Sequence, residues 1–251
     1  MAGGYHKRRT SMETKGVVLA GGKGARLLPA TRVTNKHLLP VGEKPMILHA
    51  IDQVRKARIK DVMVITGTEH AGQIVGLLGS GEEFGLNLTY RIQDQAGGIA
   101  QALGLCREFV GISQLVVLLG DNIFAEPVIA NTVFGLAHDS ALIAIKKVPD
   151  PRRFGCPVFK HGKIIRIEEK PSRPKSQYAV VGLYAFPPDV FEVISMQKPS
   201  ARGEMEITDV LNRYILCGRV TVREIKTGWS DAGTWESLAC ASKLVEKEDE
   251  P

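Results

Sequence analysis

Over its first 120 residues the chain alternates short apolar runs with segments of helical spacing, and no other feature restricts the fold as much. Gly16–Ala20, Asp61–Thr66, Leu86–Gln93 and Gln114–Leu119 read as strands. Met46–Arg55, with Ile47, Leu48, Ile51 and Val54 on one side, reads as a helix, as do the shorter Gln73–Leu78 and Ile99–Cys106. Strands separated by helical crossovers pair in parallel, because each crossover returns the chain to the same end of the sheet. After Gly120 the pattern changes. Ala141–Val148, Cys156–Phe159, Lys163–Glu168 and Tyr178–Phe186 read as strands with little helix between them. Pro188–Met196 and Glu206–Leu216 return to helix, Arg219–Ile225 to strand, and Trp235–Lys247 to a final helix. The expected fold is α/β, a Rossmann-like open mixed sheet flanked by helices. Residues 15–251 read as one domain, with 15–122 a nucleotide-binding half and 123–251 a half that completes the sheet. Residues 1–14 read as a flexible tail.

Composition narrows the function classes. Apolar residues make up 44% of the 251 and charged residues 24%, enough to bury a full-sized core, so whole-chain disorder is excluded. No apolar run approaches the roughly 18 residues of a membrane span, and the first residues carry no apolar signal segment. The four cysteines, Cys106, Cys156, Cys217 and Cys240, are too widely spaced for a zinc or redox motif, and a reducing cytoplasm is the expected setting. The net charge is +6, of which Lys7, Arg8 and Arg9 supply three. The remainder fits an enzyme for anionic substrates better than a nucleic-acid reader, which needs a basic stripe or interleaved aromatics. Neither nucleic acid nor membrane is an expected partner.

Five short segments carry candidate chemistry. Leu19-Ala20-Gly21-Gly22-Lys23-Gly24-Ala25-Arg26 follows a buried strand, at the sheet edge where open α/β folds bind ligands. Its glycines admit phosphate oxygens to backbone N–H groups, or else make a tight turn. It is neither a dinucleotide fingerprint, for which Leu27 would be Gly, nor a P-loop, for which Val17 would be Gly and Gly24 Ser or Thr. Lys36 and His37 sit beside an apolar segment, Lys36 either as a phosphate ligand or a solvated lysine, His37 as a satisfied structural histidine or a site residue. Asp121 follows the apolar run to Leu119 and suits a hard cation such as Mg2+, or caps the next turn. Lys170, in Glu168-Glu169-Lys170-Pro171, is placed to clamp a phosphate or to belong to surface charge. Asp231 lies among Gly228, Trp229 and Gly233, read as following an apolar strand and as able to share a cation with Asp121. No covalent nucleophile is nominated, and phosphate attack on a nucleotide needs none. A phosphate monoester, with a second pKa of about 6, already exposes an anionic oxygen. Arg26, Lys36, Lys170 and a Mg2+ on Asp121 and Asp231 suffice to position the groups and screen their charge.

The segments LAGGKGARL (19–27), NKHLLPVGEKPM (35–46), DQAGGIAQALGL (94–105), LGDNIF (119–124), IEEKP (167–171), PKSQYAVVGLY (174–184), PSARGEMEITD (199–209) and WSDAGTWESL (229–238) occur in one order along nearly the whole chain. In this set the chain resembles the bacterial sugar-phosphate nucleotidyltransferases, and among them the glucose-1-phosphate thymidylyltransferases. The resemblance implies a nucleotidyltransferase-type fold and Mg2+-dependent transfer of a thymidylyl group from dTTP to glucose 1-phosphate. Transfer from UTP, a different sugar phosphate, or a non-catalytic nucleotide-sugar-binding paralogue are the alternatives. It makes residues 123–251 the sugar-phosphate-binding half. By position it implies that Leu19, Gly21, Gly22, Gly24 and Arg26 hold the nucleotide, with Lys36 beside them. Gln93 and Gly98 read the base, and Asp121 and Asp231 ligate Mg2+. Gly155, Glu169, Lys170, Val181, Tyr184 and Trp229 line the sugar-phosphate site. The chain departs from the family at His37, where Gln is common, at Val181, where Thr is frequent, and at Pro157, which suits an edge strand. It ends where longer members add helices that build an effector site and subunit contacts, so a homo-oligomer and regulation stay open.

Overall fold

The structure is a computed structural model that describes residues 13–133 and 135–246. The tail expected at 1–14 falls outside these residues as far as position 12, as does the last residue of the expected final helix, Lys247. Thr14 already belongs to the first strand, so the sheet begins one residue before the expected boundary. In chain order the strands are β1 (Thr14–Ala20), β2 (Pro40–Val41), β3 (Lys44–Pro45), β4 (Asp61–Gly67), β5 (Asn87–Gln93), β6 (Gln114–Leu119), β7 (Asn122–Phe124), β8 (Ala141–Lys147), β9 (Gly155–Lys160), β10 (Lys163–Glu169), β11 (Tyr178–Phe186), β12 (Val220–Glu224) and β13 (Trp229–Asp231). The helices are α1 (Met46–Lys56), α2 (Ala71–Leu78), α3 (Ile99–Gly104), α4 (Arg107–Val110), α5 (Ile129–Val133), α6 (Val190–Ser195), α7 (Ile207–Leu216) and α8 (Trp235–Glu246).

Seven strands form the central sheet in the order β12-β8-β11-β6-β1-β4-β5. β6, β1, β4 and β5 run parallel, as their helical crossovers require. β11 lies antiparallel between β6 and β8, and β12 is parallel to β8, so the sheet is mixed. Both faces are covered. In β1, Val17 and Leu19 enter one core while Val18 and Ala20 enter the other, and β6 divides Leu115 and Val117 from Val116 and Leu118 in the same way. This period of two explains why the inner strands read as unbroken apolar runs: each face of the sheet has its own helices to bury against. Leu103, Val110, Phe191, Val210 and Tyr214 from α3, α4, α6 and α7 fill the first core. Ile47, Ile51, Ile74 and Ile129 from α1, α2 and α5 fill the second. Among the described residues no helix is long and apolar enough to cross a membrane.

Two small additions complete the fold. β9 and β10 form a hairpin that packs on α7. Asn212 of α7 ties it down, accepting from the Ile167 N–H at 2.7 Å and donating to the Ile167 carbonyl at 3.0 Å. Pro157 sits in this two-stranded piece opposite Ile167, outside the main sheet. β7 and β13 pair antiparallel, with Asp231 opposite Asn122.

Three differences from the sequence expectation lie close to the cavity. The helix expected over Ile99–Cys106 stops at Gly104, and Arg107–Val110 forms a separate turn. Neither β7 nor β13 was expected, since three-residue strands show no period. Asp231 therefore does not follow a strand of the central sheet: β12 ends at Glu224, and β13 delivers Asp231 by pairing with β7.

Candidate active site

The carboxyl ends of β1, β4, β5 and β6 open into one cavity of about 760 Å³. Its position follows from topology, because parallel strands end together and their exit loops converge on the same edge. Of the residues expected at a site, Leu19, Gly21, Gly22, Arg26, Lys36, Gln93, Gly98, Asp121, Gly155, Glu169, Lys170, Tyr184, Trp229 and Asp231 lie on its wall. Gly24 and Val181 do not.

Both exceptions have a physical cause. Gly24 adopts φ +60° and turns the loop beneath the cavity. Its carbonyl accepts from Leu27 N–H at 2.8 Å and from Thr31 Oγ1 at 2.9 Å. A Cβ there would stand 2.7 Å from Thr31 Cγ2 and 3.1 Å from Lys36 Cβ, so glycine is needed for the lysine stem to pass. Val181 lies on β11, where successive side chains alternate faces. Val180 and Tyr184 turn toward the cavity, whereas the Val181 side chain is fully buried in the opposite core with Leu118 and Leu183. A side-chain contact from Val181 to a sugar is thus corrected.

An ion pair lies on the cavity wall. Lys36 Nζ lies 2.5 Å from Asp121 Oδ2, and the side chains are only 13% and 15% exposed. Lys36 opens a short helical turn, Lys36–Leu38, capped by Asn35, whose Oδ1 accepts from the His37 backbone N–H at 2.9 Å. The same oxygen accepts from His37 Nδ1 at 2.8 Å, which makes Nδ1 the protonated nitrogen. His37 is thus a satisfied buried histidine that also lies on the cavity wall, so both readings of it stand. Burial, and then the Lys36 charge, lower its pKa to about 3. The other Asp121 oxygen accepts from Asn122 Nδ2 at 3.0 Å. Asn122 Oδ1 in turn accepts from Gly182 N–H and from Trp229 Nε1, both at 2.8 Å. Two donors on Oδ1 fix the amide, so Nδ2 can only face the carboxylate. Burial opposes the charge of Asp121, but the Lys36 charge and hydrogen bond, with the hydrogen bond from Asn122, hold its carboxyl well below the usual range. Asp231 is shifted the other way, by burial first and then by the charge of Asp121. Arg153 lies 3.5 Å from Asp231, and Arg26 approaches it across Gly233. Two buried carboxylates with opposed shifts are an arrangement common at functional sites.

Farther along the wall, Glu169 ends β10 and Lys170 follows it, with Lys170 Nζ 3.6 Å from Glu169 Oε1. Burial raises the Glu169 pKa. Arg202 draws this end together, reaching Glu169 at 3.4 Å, Glu206 at 3.3 Å and Glu204 at 3.1 Å. Trp229 meets Phe154 edge to face at 5.4 Å. Sequence reasoning passed over Asn122, Arg153 and Glu206, all on the cavity wall, and Arg202 behind it. Arg202 and Glu206 lie inside a segment that carried the resemblance, and Asn122 adjoins Asp121. Arg153 gave no signal, since only the fold brings it to Asp231.

Comparisons with known proteins point one way. Residues 15–248 match the family model for nucleotidyl transferases. A glucose-1-phosphate thymidylyltransferase of Neisseria meningitidis is 40% identical over 237 residues, covering 92% of this chain and 82% of that one. That of Mycobacterium tuberculosis is 40% identical over 236 residues, with the same coverage of 92% and 82%. Among solved structures, a candidate glucose-1-phosphate thymidylyltransferase from Bacillus anthracis, in complex with sucrose, superposes with a TM-score of 0.89 at 52% identity, covering 95% of this chain and 96% of that one. A UDP-glucose pyrophosphorylase complexed with UDP-glucose gives a TM-score of 0.83 at 25% identity, covering 94% and 100%.

The histidine yields a pH prediction. An unfolded His37 takes a proton near the ordinary histidine value of 6.5, whereas the native one refuses it down to about 3. The stabilisation from keeping it neutral is fully present above pH 6.5 and declines as pH falls toward 3, by up to about 1.4 kcal/mol per pH unit. Urea unfolding of the wild type and His37→Gln at pH 6.5, 5.5 and 4.5 checks this. The variant should show the flatter decline; equal slopes would contradict a buried neutral histidine.

Proposed function

This chain belongs to the nucleotidyl transferase family, and on that premise we propose that it is a Mg2+-dependent glucose-1-phosphate thymidylyltransferase, joining dTTP and glucose 1-phosphate into dTDP-glucose and releasing pyrophosphate. One observation carries the reading: a single cavity is lined by a glycine loop with basic groups, by a carboxylate, a lysine and aromatics, and by the Lys36–Asp121 pair. Four free cysteines, Cys106, Cys156, Cys217 and Cys240, fit a cytoplasmic setting.

In this reading an oxygen of the sugar phosphate attacks the α-phosphorus of dTTP in line. The bond from that phosphorus to the bridging oxygen breaks, and pyrophosphate leaves. The attacking oxygen is already anionic, so no side chain has to remove a proton. The work left to the chain is position and charge. The backbone at Leu19, Gly21 and Gly22 and the guanidinium of Arg26 take the triphosphate, and Gln93 and Gly98 the base. Lys170 faces the sugar phosphate. Gly155, Glu169, Tyr184 and Trp229 take the sugar. Lys36 stands at the junction, where both phosphates crowd.

Asp121 and Asp231 fit a hard divalent cation. They supply oxygen donors, Asp231 sits opposite Asn122 in the β7–β13 pair, and each opposes the other's charge. Bound there, Mg2+ supplies positive charge to phosphate oxygens during transfer. UTP is the second reading for the nucleotide, because uracil and thymine share the imide edge and a UDP-glucose pyrophosphorylase has the same fold. The thymidylyltransferase relatives, near 40% identity, favour dTTP.

A pyrophosphate-release assay with glucose 1-phosphate and each of dTTP, UTP, CTP, ATP and GTP tests the reading. dTTP should be used best, UTP next, and the others at less than about a tenth of the dTTP kcat/KM. Turnover of ATP equal to that of dTTP would overturn the base site, and no release with dTTP would overturn the function.

The two aspartates should behave as one unit. Asp121→Asn and Asp231→Asn are each expected to lose about 100-fold or more in kcat, and the double variant to be little worse than either. Near-wild-type turnover of either single variant at saturating Mg2+ would remove that residue from the metal site.

A further inference from the structure

We propose that Gln101, a residue outside the cavity wall, sets base selectivity by locking the orientation of the Gln93 amide. The inference rests on the nucleotide site proposed above and names a residue that acts through it. Gln93 ends β5 and is 9% exposed. Its Nε2 donates to Gly98 O at 3.3 Å and to Gln101 Oε1 at 2.5 Å. A backbone carbonyl only accepts, so the Gly98 contact identifies the group beside it as the amide nitrogen. Both protons of that nitrogen are then engaged on the α3 side. The Oε1 is left on the other side, 3.1 Å from where a Gly21 side chain would begin.

The contact between the two glutamines is built for, since Gln101 lies folded over Gly97. A Cβ at position 97 would stand 3.0 Å from Gln101 Cγ and 3.1 Å from its Cδ. The missing side chain is the notch through which Gln101 reaches back to β5.

The chemical consequence concerns the order of donor and acceptor. A free glutamine amide turned by 180° exchanges its oxygen and nitrogen, and so matches a pyrimidine edge of either kind. Held by Gln101, Gln93 presents only its oxygen. The imide N–H of thymine or uracil satisfies that oxygen. The corresponding ring nitrogen of cytosine carries a lone pair, which the oxygen repels. Removal of the Gln101 acceptor leaves only the longer 3.3 Å contact to Gly98 O to hold the amide, so the turned form, which offers N–H to cytosine, gains population.

Two substitutions separate this role from packing. Gln101→Met keeps the length of the side chain and loses the acceptor, whereas Gln101→Glu keeps an acceptor oxygen. The readouts are kcat/KM for dTTP and dCTP with glucose 1-phosphate, and binding of each nucleotide by calorimetry. The Met variant is expected to lose about tenfold in dTTP over dCTP selectivity, the equivalent of one net hydrogen bond, through KM and binding rather than kcat. The Glu variant should restore most of the ratio. An unchanged ratio in the Met variant, or equal loss in both variants, overturns the proposal. Binding is read apart from turnover, so the calorimetric ratio decides the role of Gln101 on its own, whereas a wild-type protein that binds dTTP without turnover counts only against the enzymatic reading.

Discussion

A lysine and an aspartate held together with little solvent around them form the constraint on which the rest of this cavity depends. Desolvating two charges is costly, and their attraction offsets the cost only when the remaining lone pairs are satisfied. Here each Asp121 oxygen takes one donor, Lys36 on one and Asn122 on the other, which leaves a lone pair on each for the cation proposed above. Asn122 is itself fixed by Gly182 and Trp229, so the carboxylate is oriented by residues about 60 and 107 positions along the chain. Lys36 is aimed by a turn that Asn35 caps and that Gly24 leaves room for. Removing one partner would leave a buried charge uncompensated, so the pair also commits the strand ends and loops to one arrangement.

The same logic joins the two ends of the cavity. Met205 donates its N–H to Gly97 O at 2.8 Å and accepts from Ala100 N–H at 3.1 Å. The segment leading into α7 is therefore bonded to the loop that leads into α3. Residues on both sides of position 122 lie on the cavity wall.

Much of this was legible in the sequence because its causes are local. The run Gln114–Leu119 reads as a strand since both of its faces are buried, and Asp121 falls at the sheet edge as a direct consequence. Glycines after β1 mark a loop of close backbone approach. The illegible parts depend on long-range register. β7 and β13 are three residues each, and only their pairing brings Asp231 beside Asp121. Family position placed Val181 near a sugar, but position along a strand does not settle the face. Side chains alternate along β11, and Val180 and Tyr184 share the cavity face, which turns Val181 into the opposite core. Arg153 was invisible because its partner is 78 positions away and nothing nearby marks it.

The central claim is that the Lys36–Asp121 junction separates a base end at Gln93 from a sugar end at Glu169 within one cavity. A crystal structure of the protein with dTDP-glucose tests it most directly. The account predicts thymine against Gln93 and Gly98, the diphosphate across the Lys36–Asp121 pair, and glucose between Glu169, Tyr184 and Trp229. Thymine at the Glu169 end, or the nucleotide sugar bound outside this cavity, would contradict it.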